Sequence, residues 1–136
     1  MGYTQHRITP WHEVMGADGE KILAVGTSIG ALQSMASPGG DVVMTIAAVP
    51  AGKLWVVSAG TSWDDTSAIA IAEIAVQHGG SRIILGRVVS PARWVVASIA
   101  SYAILFPGDQ LEGVYIGTTA GDTLYLTYIG YTMTIP

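Results

Sequence analysis

The sequence predicts an all-β fold: an antiparallel two-sheet jelly-roll-like sandwich with an extended N-terminal arm. Three observations predict it. A turn-and-strand unit repeats in the last quarter of the chain, strand-like runs recur at short intervals after residue 40, and no window longer than ten residues beyond Gly40 has helical periodicity.

The repeat comes first because its turns are the clearest. Gly108-Asp109-Gln110-Leu111 leads to Tyr115-Ile116-Gly117, and Gly121-Asp122-Thr123-Leu124 leads to Tyr128-Ile129-Gly130, 13 residues later. Each copy is a turn signal followed by a β-rich run, so the two are expected as consecutive antiparallel strands joined by Thr118-Thr119-Ala120. At each strand start a short acceptor, Asp109 or Asp122, can satisfy turn amides.

In chain order, residues 1–40 are expected as an arm or loose lead-in. They hold two of the three histidines and breakers at Pro10, Gly16, Gly19, Gly26, Gly30, Pro38, Gly39 and Gly40. Within them, 14–23 can form a short hairpin around Asp18-Gly19, and 29–35 a helical turn. Loss of 1–35 is expected to leave a folded β domain that no longer assembles.

Residues 41–136 form the sandwich domain. Strand-like runs occupy 41–48, 53–61, 67–77, 81–89, 94–99, 102–105, 110–117 and 123–135. Pro50-Ala51-Gly52, Ser62-Trp63-Asp64-Asp65, His78-Gly79-Gly80, Ser90-Pro91-Ala92 and Pro107-Gly108-Asp109 punctuate them. Eight short strands at that spacing fit a sandwich or jelly roll. Between 67 and 77 the large residues switch parity from Ile69 and Ile71 to Ile74 and Val76, which a β-bulge at Ala72-Glu73 would correct. A fainter echo links Pro50-Ala51-Gly52-Lys53-Leu54-Trp55 with Pro91-Ala92-Arg93-Trp94, as if two strands entered at matching corners.

Composition limits function. Half the chain is hydrophobic and 12% is charged, against about 25% in an average soluble domain, so part of the apolar surface is expected to meet another protein. The six Lys and Arg are scattered singly in a chain of net charge −4, which speaks against nucleic acid. The longest uncharged apolar stretch, 94–106, is shorter than the ~20 residues of a spanning helix, and no apolar run follows residues 1–7, so neither membrane insertion nor a signal peptide is expected.

No catalytic or metal constellation emerges. The chain has no cysteine, and His6, His12 and His78 lack metal-ligand spacing. Asp64-Asp65 reads as an Asx-type turn, because no Asp-x-Asp-x-Asp run accompanies it. No Gly-x-Ser-x-Gly elbow occurs, and Gly26-Thr27-Ser28-Ile29-Gly30 has no following lysine to make a phosphate loop. An enzyme is therefore not expected, nor a cofactor or a bound metal. The aromatics Trp55, Trp94, Tyr115, Tyr125, Tyr128 and Tyr131 lie on predicted strands, where packing is their ordinary role. A glycan platform would need polar partners beside them, and the chain has no asparagine.

From residue 49 onward the chain resembles small jelly-roll virion proteins of tailed bacteriophages, of the head-decoration, head-fibre and collar or tail-accessory type. The likeness rests on Val49-Pro50-Ala51-Gly52-Lys53-Leu54-Trp55, Phe106-Pro107-Gly108-Asp109-Gln110-Leu111, and Gly121-Asp122-Thr123-Leu124 leading to Ile129-Gly130-Tyr131. The resemblance implies a non-enzymatic virion subunit, trimeric or in a higher array, in contact with major capsid, portal or tail proteins. Expected contact residues are Trp11, Trp63, Tyr102, Tyr115 and Tyr128, chosen for bulk and for turn or strand-edge placement. The alternative is a receptor- or glycan-binding fibre-tip module.

Overall fold

The computed structural model describes residues 14–15 and 21–135, with side chains from residue 26 onward. Ten strands run through them: β1 (Val14–Met15), β2 (Lys21–Ala36), β3 (Gly40–Thr45), β4 (Lys53–Asp64), β5 (Ile71–His78), β6 (Ser81–Val89), β7 (Ala97–Ser98), β8 (Ala103–Leu105), β9 (Gln110–Thr118) and β10 (Thr123–Thr134). Every pairing is antiparallel. One sheet runs β1-β2-β10-β4, with β7 and β8 both on the far side of β4, and the other runs β3-β9-β5-β6.

The pairings nest. β5 pairs with β6, β4 with β7 and β8, β3 with β9, and β2 with β10; β10 also joins β4, and β9 also joins β5. That is one long hairpin rolled on itself into two sheets, the winding of a jelly roll. It corrects two expectations. The repeated units at 108–117 and 121–130 do not pair, because β9 and β10 cross into opposite sheets. Residues 24–36 are no arm: they form a full partner of β10, from Ala24↔Thr134 to Ala36↔Thr123, and 29–35 is strand, not a helical turn. A cut at residue 35 would thus remove a strand of the sandwich. The hairpin expected at 14–23 is seen as Val14↔Leu23 and Met15↔Lys21, while its Asp18-Gly19 turn lies outside the described residues.

The repeat is real at the level of its turns. Asp109 N–H donates to Phe106 O (2.9 Å) while Phe106 N–H donates back to Asp109 Oδ2 (2.9 Å). Asp122 and Thr119 make the same reciprocal pair, at 3.0 and 2.8 Å. Each turn needs left-handed backbone just before the aspartate, and glycine supplies it at Gly108 (φ 88°) and Gly121 (φ 91°). One turn sits at each end of the sandwich. Asp109 is joined by the β3–β4 loop, through Gly108 N–H to Val49 O and Val49 N–H to Asp109 O. Asp122 is joined by the β2–β3 turn, through Ser37 N–H to Asp122 O.

Alternation places the core. Val42, Met44, Ile74, Val76, Leu111 and Tyr115 point inward from one sheet, and Val57, Leu124, Leu126 and Tyr128 from the other. Each fully buried aliphatic among them contributes about 1.5–3 kcal/mol. Tyr115 is wholly enclosed, and its hydroxyl donates to the backbone carbonyl of Tyr125, a bond that joins the two sheets through the core. Gly113 makes room for it: a Cβ there would lie 2.6 Å from the phenol oxygen. Alternation in β5 is unbroken through Ala72, Ile74 and Val76, so the expected bulge is elsewhere: the extra residue is Leu85 on the partner strand β6. Ser58 is a second extra residue, where the β10 register steps from Ala59 to Val57 at Gly130.

Gly130 lies against the Val56 carbonyl so closely that an added methyl has no room. Gly130→Ala should therefore lower stability by about 1–3 kcal/mol, read as a lower urea midpoint with unchanged m-value.

Candidate functional site

Two strand edges meet on one side of the sandwich: β6, which is an edge of its sheet among the described residues, and the broken edge made of β7 and β8. They touch at Gly86, whose Cα packs against the Ser98 carbonyl where any side chain would collide. Toward the β5–β6 turn the edges part and leave an apolar cleft of about 260 Å³. Ile83, Leu85, Tyr102, Ile104 and Phe106 line it above Val76. At its mouth His78 Nδ1 lies 2.6 Å from Asp109 Oδ1, with the Phe106 ring edge-on to the imidazole at 6.1 Å. Asp109 is ordered by its turn, so it fixes the ring: Nδ1–H donates to the carboxylate and Nε2 is left to face outward. The cleft can hold an apolar group with a hydrogen-bonding end.

Trp94 stands at the other end of the same side. It has a left-handed backbone (φ 69°), a costly conformation for a bulky residue, and the residue is 62% exposed. Its N–H donates to Asp64 O (2.9 Å) and its indole N–H to Asp65 O, while the Arg93 guanidinium lies 4.9 Å from the ring centroid. An indole held outward at the expense of backbone strain is presented, not merely left over. Val95 and Val96 beside it are exposed as well.

Charge is almost absent between these two features. Residues 74–108 contain no carboxylate. Arg82 reaches across the sheet to buried Glu112 (2.5 Å) and Arg87 to buried Glu73 (3.2 Å). Among residues 26–135 the carboxylates are Asp41, Asp64, Asp65, Glu73, Asp109, Glu112 and Asp122, and all but Asp41 and Asp65 are buried. The net charge of −4 therefore does not describe the outside of the sandwich.

The far end carries a polar cluster. Asp64 Oδ1 accepts from Thr66 N–H (2.8 Å) and Ser67 N–H (3.1 Å), the Asx turn the sequence predicts. Asp122 Oδ2 accepts from Ser67 Oγ–H (2.6 Å) and Thr119 N–H (2.8 Å). Asp64 Oδ2 is buried without a partner. Burial raises the Asp64 pKa, and the neighbouring Asp122 adds to the rise. Burial also opposes the charge on Asp122, but bonds from Ser67, Thr119 and Asp64 outweigh it and hold that group low. Burial pushes the Tyr115 phenol up, and the Asp64 charge adds to the rise. Among the described residues no three His, Asp or Glu converge as a metal site, and no helix is long and apolar enough to cross a membrane.

The expected contact residues scatter. Tyr102 is 67% exposed and lines the cleft. Trp63 is half-buried and stacks on its cross-strand partner Tyr125 at 4.9 Å, on the outward face of its sheet. Tyr115 and Tyr128 are core residues, since their parity matches Leu111 and Leu126; Tyr128 stacks on Trp55 at 6.0 Å. Trp11 lies outside the described residues. Trp94 is not on a strand, so its echo with Trp55 has no structural counterpart. Sequence reasoning missed Trp94, Phe106 and the outward face of β6; the acid-free run 74–108 was the signal that marks them.

No family model matches this chain, and no curated protein matches it. Among solved structures it is similar to the N-terminal cellulose-binding domain of Cellulomonas fimi β-1,4-glucanase C, with 18% identity over 82% of each chain and a TM-score of 0.29. A superposition that loose transfers neither a binding face nor a ligand.

The Asp64–Asp122 pair makes stability depend on pH in a signed way. Asp64 binds its proton more tightly folded than unfolded, so its contribution is full below the ordinary value of 3.8 and is lost as pH rises through the raised folded value. Asp122 acts oppositely: its contribution is present above 3.8 and is lost as pH falls through the lowered folded value. Asp64→Asn keeps the acceptor for Thr66 and Ser67 and supplies a permanent donor to Asp122. Its urea midpoint should exceed the wild type's at neutral pH, with the gap closing in acid below 3.8.

Proposed function

We propose that this chain is a non-enzymatic structural subunit of a phage particle that assembles with copies of itself through the apolar side of its sandwich. One observation carries the assembly reading. Of the thirteen exposed large hydrophobic residues among those described, nine fall between residues 83 and 106, on β6, the Trp94 loop and the β8 edge. A lone soluble domain scatters such residues singly, whereas a contiguous apolar tract marks a contact surface. Residues 74–108 hold no carboxylate, and two of their three arginines are engaged by buried Glu112 and Glu73, so little free charge remains to keep that surface wet. The particle context is supported by the turn motifs at 49–55, 106–111 and 121–131, which resemble those of jelly-roll virion proteins.

The receptor- or glycan-binding alternative has less support. Trp63 and Tyr125 give one ring face each to one another, and most described carboxylates, the usual partners of sugar hydroxyls, are inside.

Light scattering of the purified chain at micromolar concentration should give a mass above that of one chain, and mass spectrometry of purified particles should find the chain in stoichiometric amount. Replacing Trp94 with Ser should weaken association by about tenfold or more, the loss typical of a central aromatic contact. A wild-type chain that stays monomeric at every concentration would overturn the reading.

A further inference from the structure

We infer that two copies join edge to edge through β6, antiparallel about a two-fold axis at Leu85, so that the β3-β9-β5-β6 sheet continues into its mate. The inference rests on the assembly reading above and names its partner, a second copy of this chain.

Edge chemistry singles out β6. Natural monomers blunt a free edge with lysine, proline, brevity or a cover. β3 is six residues long and carries Asp41. β4 is capped by β7 and β8, two separate short pieces; β2 is covered by β1 only over 21–23, but between 26 and 36 its one exposed large hydrophobic residue is Leu32, against three on β6. β6 is nine residues long with neither lysine nor proline, and both its arginines are drawn over the sheet face by Glu112 and Glu73, away from the edge. Ile83, Ile84 and Val89 stay exposed along it. Its one irregularity, the extra residue Leu85, falls at the midpoint. Residues 81–84 of one copy then pair with 86–89 of the other, and reciprocally.

That direction also matches the flanking features. The cleft lies toward the Ser81 end of β6, and the Trp94 loop follows the Val89 end. An antiparallel two-fold sets the loop of each copy against the cleft of its mate. Trp94 and Val95 then face the apolar lining. A protrusion and a hollow are thus paired twice, as an isologous contact requires. Nine of the thirteen exposed large hydrophobic residues among those described lie between 83 and 106, which gives such a contact apolar surface to bury.

Because the chain has no cysteine, position can be read by cross-linking. Ser81→Cys and Val89→Cys are placed on separate chains, mixed and oxidised. Pairing about Leu85 brings Ser81 opposite Val89 and leaves like positions ~27 Å apart, so the mixture should give a disulfide-linked dimer of unlike chains while neither variant alone does. Hydrogen exchange on the unaltered chain gives an independent readout: β6 amides should lose protection on dilution below the association range. If the wild-type chain associates but the mixture shows no selective link and β6 exchange is insensitive to dilution, this pairing is wrong and the assembly reading stands. If the wild-type chain never associates, both fall.

Discussion

The inward turn of the carboxylates is the constraint on which the rest of this structure depends. A buried carboxylate is tolerable only when amides, hydroxyls or a guanidinium satisfy it. Asp109 and Asp122 meet that demand by closing the two Gly-Asp turns, Asp64 by organising the β4–β5 loop, and Glu73 and Glu112 by holding the arginines of β6. The acids are thus internal ties. Groups that ordinarily keep a surface soluble here lock turns and hold arginines, and among residues 26–135 only Asp41 and Asp65 are carboxylates that are not buried.

The site follows from that arrangement. With Arg82 and Arg87 drawn across the sheet, β6 faces solvent with isoleucine and valine. With β7 and β8 reduced to fragments, the opposing edge cannot close over it, so the two sheets part beside Tyr102 and Phe106. Asp109 belongs to both stories, since one oxygen closes its turn and the other orients His78 at the cleft mouth.

Much of the fold was legible because turn chemistry is local. His78-Gly79-Gly80 and Ser90-Pro91 bracket β6 at the expected 81–89, and Ala120-Gly121-Asp122 opens β10 at 123. Partner identity was not legible, because it is non-local: identical turns before β9 and β10 feed opposite sheets. β2 was missed for a different reason. From 26 to 36 it buries no side chain fully; Ile29, Ala31 and Met35 pack on the core, but Gln33 shares their face and Leu32 points the other way, so the apolar alternation is blurred in the sequence. At the site, Tyr102 was legible as a bulky group beside a turn. Tyr115 and Tyr128 were misplaced because bulk was weighed above parity, although each shares the parity of a core leucine. Trp94 was hidden by its likeness to Trp55: one extended and one left-handed backbone follow nearly the same residues.

The nested winding has a consequence for biosynthesis. β10 lies between β2 and β4, yet it follows both by many tens of residues, so the centre of that sheet is the last part of it to leave the ribosome. Until then β2 has only the short β1 beside it and β4 lacks one flank, whereas the β5–β6 hairpin can zip early from neighbouring residues. Folding of such a topology is slow, since distant segments must meet before their contacts repay the lost freedom. A nascent chain of this kind stays adhesive until its final strand slides home, and holdase chaperones would find their binding site in the gap that strand later fills.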